Sequence, residues 1–395
     1  YEDLNGERRS VYSWKLVETD KIPNGKRKCV ALRDMEKAIQ RDLDDGINTF
    51  AANRMTLNRL FDEYIESKYE LKASTRTNYK YMYNKYVRED IGTRNISSIK
   101  FSHIKKFYIH LMRDVGFKPN SLENIHTVLH PVFTIAVRDG LIRTNPTDGV
   151  MADIKKSHDW EKPKRHALTV PQQEAFVGFI KSNYKYRHWL PVFTFMLGTG
   201  CRVGEVAGLR WQDCDFQKNI ITIDHNLTYR PSEDGSGCTF RISTPKTKAG
   251  ERIIPMFAAV RDALISERIR QMESGVNQSV VDGYSGFVFS NRFNEILNPH
   301  SINRAIERIV RDYNLAESEQ AEKESRKPEL LPHFSAHNLR HTFCTRLCET
   351  GTNLKVIQEI MGHADITTTM DIYNEATQEL KLQTFEKLEG VINIA

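Results

Sequence analysis

Four short stretches carry the residues best suited to chemistry. Gly198-Thr199-Gly200-Cys201-Arg202-Val203-Gly204-Glu205 sets an arginine among glycines, at a tight helix entrance after the apolar run Leu190 to Leu197. Thr244-Pro245-Lys246-Thr247-Lys248-Ala249-Gly250-Glu251-Arg252 reads as a lysine-bearing turn between two strands. In Ser335-Ala336-His337-Asn338-Leu339-Arg340-His341-Thr342, His337 and Arg340 are three apart and share a helix face. Met361-Gly362-His363-Ala364-Asp365 is followed by Thr367-Thr368-Thr369-Met370-Asp371-Ile372-Tyr373. Guanidinium groups are planar forks that stay charged and match phosphate oxygens. Lysine and histidine move protons, and a tyrosine hydroxyl is a latent nucleophile. Taken singly each stretch is weak, because an arginine beside glycines is usually a surface residue, a histidine is usually structural, and Tyr373 beside Met370 and Ile372 reads as a packed helix aromatic. His337 with His341, and Cys344 with Cys348, have a spacing that zinc could use, yet each pair also fits a recognition or core role and no CxxC partner accompanies them.

The surrounding chain limits what these residues can serve. With 395 residues, 39% of them hydrophobic, it is long enough for two or three domains with real cores. No run approaches the ~20 apolar residues of a bilayer span, and the start, Tyr1-Glu2-Asp3, lacks signal-peptide order. Six cysteines without a CxxC pair fit free thiols in a reducing compartment. A net charge of +6 is mild, so any polyanion contact must come from local patches. One such patch runs from Lys72 to Lys106, with nine basic residues, among them Arg76, Lys80, Lys85, Lys105 and Lys106, against Glu89 and Asp90 alone. A second lies between Val150 and Ala167, with Lys155, Lys156, Lys162, Lys164 and Arg165. A solvated face is the plain alternative for the first patch.

Periodicity predicts the elements that hold the four stretches. Alternation from Val11 to Val17, a turn at Pro23-Asn24-Gly25 and a second run from Lys28 to Leu32 predict a hairpin with a helix over 34–45 behind it, and the opening in mid-pattern suggests an N-terminally truncated sheet that has lost an upstream strand. Leu57, Leu60, Phe61, Tyr64 and Ile65 predict a helix capped by Thr56, followed by helices over 74–87, 101–115 and 121–139. Tyr79, Tyr83 and Tyr86 stripe one of these helices, a pattern that favours core over base stacking. Thr169-Val170-Pro171-Gln172 predicts a capping box. Strands over 220–223 and 240–243 flank a Gly235-Ser236-Gly237 loop, and Arg252-Ile253-Ile254-Pro255 closes the sheet. The charged stretch from Ala316 to Pro328 is an exposed connection or a helix extension. The expected domains are 1–52, 53–150, a basic linker over 151–167, 168–376, and a tail helix over 377–395 with Leu380, Phe385, Leu388 and Ile392 on one face.

In this order, arginine, lysine, His-x-x-Arg, histidine and tyrosine resemble the tyrosine recombinases, the integrase family of bacteriophages and mobile elements, over residues 168–376. The hairpin and the Asp45-Gly46-Ile47 after its helix look most similar to integrases of conjugative transposons. The resemblance implies a multidomain fold: a small β-sheet plus helix that binds arm-type DNA, an all-α core-binding domain, and a mainly α catalytic domain with a small antiparallel sheet. It implies that Arg202 and Arg340 clamp a phosphodiester, that His337 is the base, that Lys246 protonates the departing 5′ oxygen, and that His363 donates to the phosphate or leaving group. Glu205 would orient the site and Tyr373 would be the nucleophile. A 3′-phosphotyrosyl link stores the energy of the broken bond, so neither ATP nor metal is expected, and no P-loop or two-metal acidic cluster stands in the sequence. Double-stranded DNA at core and arm sites, a tetramer assembled through the tail, an accessory factor for excision and a bacterial cytoplasm complete the expectation. A type IB topoisomerase uses the same nucleophile, but the N-terminal segment and the His363 stretch argue against it. A silent DNA-binding relative would lack catalytic residues, and none is missing.

Overall fold

The computed structural model describes residues 1–3, 6–10, 30–156, 166–232, 237–245 and 248–374, and the chain divides into two compact units, Tyr1–Pro163 and Lys164–Ala395. The expected hairpin over Val11 to Leu32 falls mostly outside the described residues, as do Lys164 and the tail from 377 onward.

The described part of the first unit is almost wholly helical: α1 Val30–Asp44, α2 Thr49–Ala52, α3 Leu57–Ser67, α4 Ala73–Tyr86, α5 Phe101–Arg113, α6 Pro119–Arg138 and α7 Val150–Lys155. The Thr56 hydroxyl caps α3 by accepting from the Arg59 amide at 3.2 Å, and all five residues of its apolar stripe are buried. Of the tyrosine stripe on α4, Tyr83 is fully buried and stacks on Phe61 with ring centroids 3.6 Å apart, while its hydroxyl donates to Asn58 Oδ1 at 2.9 Å. Tyr79 and Tyr86 pack against the same core half-buried, so the stripe is structural. The stretch read as linker from 151 begins as helix α7, because Val150, Met151 and Ile154 form a short apolar face that joins this core, a signal masked by the neighbouring lysines.

The second unit runs α8 Val170–Ser182, α9 Leu190–Thr199, α10 Val203–Gly208, β1 Cys214–Asp215, β2 Ile220–Ile223, β3 Asn226–Pro231, β4 Cys238–Ser243, β5 Arg252–Pro255, α11 Ala258–Ser274, α12 Pro299–Lys323, α13 Ala336–Glu349 and α14 Leu354–Met361, with a further helix over 366–374. The Thr169 capping box with Gln172 forms as expected. Strand pairing differs from the sequence reading. β2 and β4 do not pair with each other; β2 lies between β1 and β5 in one antiparallel sheet, and β4 pairs with β3 in a second. The missed strand β3 is polar enough to hide its alternation, yet Leu227 sits opposite Ile242 and is buried. The charged stretch after Ala316 continues α12 as far as Lys323. Helix α9, apolar on every side, is the centre of the unit, with Phe193, Phe195 and Met196 fully buried among Ile221, Ile254, Ile306 and Leu339. Its last turn delivers the first of the four chemical stretches. No helix among the described residues is long and apolar enough to cross a membrane.

Candidate active site

Helix α9 ends in Gly200, whose φ of 61° is left-handed and whose absent Cβ would meet Phe343 Cδ1 at 2.4 Å. The chain can therefore turn at once into α10, with Arg202 at its N-cap and Glu205 in its first turn. The Arg202 amide donates to Glu205 Oε2 and its Nη1 to Oε1, both at 2.8 Å. Arg252, at the start of β5, meets the same carboxylate with Nη2 on Oε2 at 2.8 Å and Nη1 on Oε1 at 3.1 Å. Burial would raise the Glu205 pKa, but the hydrogen bonds and charges of Arg252 and Arg202 outweigh it and hold the carboxyl down at about 2.

The three arginines of the site then converge on three consecutive carbonyls at the end of α14. Arg252 Nε donates to Ile360 O at 2.8 Å, Arg340 Nη2 donates to Met361 O, and Arg202 Nη2 donates to Gly362 O at 2.9 Å. Terminal carbonyls of a helix lack intrahelical donors and form the negative end of its dipole, so they are natural acceptors for cations. Arg340 is 3% exposed and its Nη1 donates to Gly200 O at 2.7 Å. Burial, then the nearby Arg202, pushes its pKa down to about 10, which leaves it charged at neutral pH. Three guanidinium charges against the one carboxylate of Glu205 leave a surplus of two, the condition for holding an anion.

His363 follows directly, buried, with Nδ1 2.9 Å from Thr369 Oγ1. Burial first, then Arg340, Arg202, Arg252 and His337, lowers its pKa to about 4, so the ring is neutral near pH 7. Thr369 and Tyr373 are four apart on the helix over 366–374 and share a face. Tyr373 is half-buried against the apolar cluster of Phe343, Cys344, Cys348, Ile357 and Met361. His337 is exposed in the first turn of α13, one turn ahead of Arg340, on a helix whose cap is a Ser335–Asn338 capping box. The second unit thus brings together Arg202, Glu205, Arg340, His363 and the helix of Tyr373.

Lys246 lies outside the described residues. Two functional-site residues escaped the sequence reading. Arg252 had a usable signal: in β5 it shares the inward parity of Ile254, and a charge at a core position implies a buried partner. Thr369, fully buried, had none. The cysteines Cys344 and Cys348 belong to the apolar cluster, and the group with metal-ligand proximity among the described residues is elsewhere, at Asp213, Asp224 and His225.

The basic candidates of the first unit separate by their local partners. Lys105 pairs with Asp153 at 2.7 Å and Lys155 with Glu123 at 2.8 Å. Arg76 Nη2 donates to Lys68 O, and Lys85 Nζ to the Tyr81 hydroxyl. Lys80, Lys106 and Lys156 are exposed.

The second unit is mainly helical with small antiparallel sheets, and it sets an arginine-rich site able to hold an anion beside the helix of Tyr373. Residues 166–379 match the phage integrase family, residues 56–112 the phage integrase N-terminal SAM-like domain, and residues 1–43 the DNA-binding domain of Tn916 integrase. The chain belongs to the phage integrase family of tyrosine recombinases. It is 34% identical over 388 residues to the transposase from transposon Tn916 of Enterococcus faecalis, covering 98% of this chain and 90% of the relative. It is 26% identical to a XerC-like tyrosine recombinase of Caldanaerobacter subterraneus, over 81% of this chain and 78% of that one. Among solved structures, the Tn1549 transposon integrase in complex with transposon right end DNA matches with a TM-score of 0.72 at 30% identity, covering 85% of this chain and 100% of that one.

Proposed function

We propose that this recombinase integrates and excises a mobile element of the conjugative-transposon type. Its likeness to the Tn916 transposase and to the Tn1549 integrase bound to transposon DNA supports the reading. The observation that carries the chemistry is the convergence of Arg202, Arg252 and Arg340 on three successive carbonyls beside His363.

Arg202 and Arg340 clamp the non-bridging oxygens of the scissile phosphodiester and offset the charge that grows as the nucleophile attacks. Tyr373 Oη attacks phosphorus. A phenol hydroxyl attacks well only once its proton is removed, so His337 takes that proton and the arginine field stabilises the phenolate. The bond from phosphorus to the 5′ oxygen breaks, Lys246 supplies the proton to that oxygen, and a 3′-phosphotyrosyl link remains. His363, neutral and steered by Thr369, donates to the phosphate, and Glu205 holds Arg202. Attack by the 5′ hydroxyl of a second strand reverses each step and needs neither metal nor nucleotide.

Residues 1–52 bind arm-type sites, 53–150 and the basic stretch over 151–167 bind core-type sites, 168–376 carry out the chemistry, and the tail over 377–395 docks on a neighbouring subunit in a tetrameric synapse. An accessory factor biases the reaction toward excision, and the work takes place in a bacterial cytoplasm. A nicked suicide duplex tests the core of this reading: covalent protein at the 3′ side and strand exchange between two duplexes are expected. Religation without exchange would indicate a topoisomerase.

A further inference from the structure

We propose that Arg252 is a positioning residue that sets the orientation of Arg202 toward the scissile phosphate, a role that rests on the proposed clamp. Its side chain is 4% exposed, and the Glu205 side chain 6%, so Arg252 has no surface to offer DNA directly. It acts through the carboxylate. Each Glu205 oxygen receives one bond from each arginine: Oε1 from Arg202 Nη1 and Arg252 Nη1, Oε2 from the Arg202 amide and Arg252 Nη2. A parallel fork of this kind fixes the rotation of the carboxylate as well as its position. The rotation decides where Arg202 Nη1 is held, and hence which way the rest of the guanidinium faces.

The third nitrogen adds a second constraint. Arg252 Nε holds Ile360 O at 2.8 Å, in the last turn of α14, and the next two carbonyls of that turn are those that take Arg340 and Arg202. Close packing reinforces it, since a Cβ built on Gly362 would stand 3.0 Å from Arg252 Cδ and 2.8 Å from Ala249 O. One buried fork therefore aligns the start of α10 with the end of α14. Without it, Arg202 would be the sole cation facing a buried carboxylate, and its donors would be drawn toward Glu205 and away from a phosphate. A lysine keeps the charge but, as a point donor, cannot hold two carboxylate oxygens and a carbonyl at fixed angles.

The test uses full-length Arg252→Lys and Arg252→Gln on two core duplexes, one with an ordinary scissile phosphodiester and one with a methylphosphonate there. The methyl group removes the charge that the clamp must balance. In Arg252→Gln, Glu205 keeps Arg202 as its counter-ion, which guards against loss of the fold. Both variants should bind the core duplex, form covalent complex about 100-fold more slowly on the phosphodiester, as expected when a catalytic group is misplaced, and recover most of that loss on the methylphosphonate. A side chain that only stabilises the fold would slow both substrates alike. Arg202→Ala runs in parallel: if the methylphosphonate does not rescue it, the clamp itself fails and Arg252 loses its role with it. If Arg202→Ala is rescued but the Arg252 variants are not, the positioning role alone is overturned. Wild-type cleavage by Arg252→Lys, or failure of both variants to melt cooperatively and bind DNA, also overturns it.

Discussion

Arg202 and Gly362 are 160 residues apart in sequence and are joined by one hydrogen bond, from Arg202 Nη2 to the Gly362 carbonyl at 2.9 Å. The bond ties the entrance of α10 to the exit of α14 at the peptide that precedes His363. Gly362 takes a left-handed φ of 63° to end α14, and this turn presents its carbonyl to Arg202 just ahead of His363. A fragment ending before α14 would therefore keep Arg202 but lose one of the contacts that aim it.

Replacing Tyr373 with Phe removes a hydroxyl and keeps the ring that packs against the apolar cluster. Core-DNA affinity should match the wild type, while covalent complex on a suicide duplex, seen on a denaturing gel, should vanish. Normal cleavage by the variant would place the nucleophile at another residue.

Arg202→Ala and Arg340→Ala should each slow single-turnover cleavage by about 10²–10³, the usual loss for one transition-state donor. Their stabilities should diverge. The Arg202 side chain is 42% exposed and Glu205 keeps Arg252 when it is removed, so that variant should melt close to wild type. Arg340 is buried and satisfies the Gly200 and Met361 carbonyls, each worth about 1–3 kcal/mol when orphaned. Calorimetry on both variants checks the ordering, and equal melting temperatures would contradict it.

The elements that the sequence made legible are those with strong local signals. Thr56 and Thr169 announce their caps, and Leu57 to Ile65 announces a helix face, because these patterns depend on neighbours within one or two turns. Strand pairing was less legible: Ile220–Ile223 chooses Arg252–Pro255 and Cys214–Asp215 as partners, a choice set by which isoleucines reach the core around α9. At the site, the family resemblance carried by the ordered motifs pointed to Arg202, Glu205, Arg340 and His363, and the fold gathers these four. Thr369 could not be read, since its value comes only from standing 2.9 Å from a ring six residues earlier.

Salt dependence separates two sets of lysines. Lys80 and Lys106 are exposed, whereas Lys105 and Lys155 already face Asp153 and Glu123. A lysine that neutralises a phosphate contributes about 0.9 to the log–log salt slope of DNA binding. Reversing Lys80 and Lys106 to Glu should flatten the slope by up to about two such contributions, and reversing Lys105 and Lys155 should flatten it less. Filter binding of a core duplex between low and moderate salt measures both. Identical slopes in all variants would return this face to plain solvation.

Acid should weaken the fold through His363 before it does so through Glu205. An unfolded histidine takes its proton near pH 6.5, whereas burial and the charges of Arg340, Arg202, Arg252 and His337 delay protonation of His363 to about 4. Between those values the unfolded chain binds more protons at this residue than the folded one, so stability rises with pH across the window and falls as pH is lowered through it. Glu205 follows in a lower window. Its pKa is 4.5 as an ordinary carboxyl and about 2 here, so its contribution is complete above about 4.5 and is lost as pH drops toward 2. His363→Gln keeps a polar partner for Thr369 without titrating, and its unfolding free energy should therefore fall less than that of the wild type between pH 7 and 5. The difference should reach at most about 2 kcal/mol, less to the extent that solvent screens the arginines. Urea titrations at the two pH values measure it. Parallel losses would mean that His363 gains its proton at an ordinary pH, and a charged imidazolium would then have to replace the neutral donor in the proposed reaction.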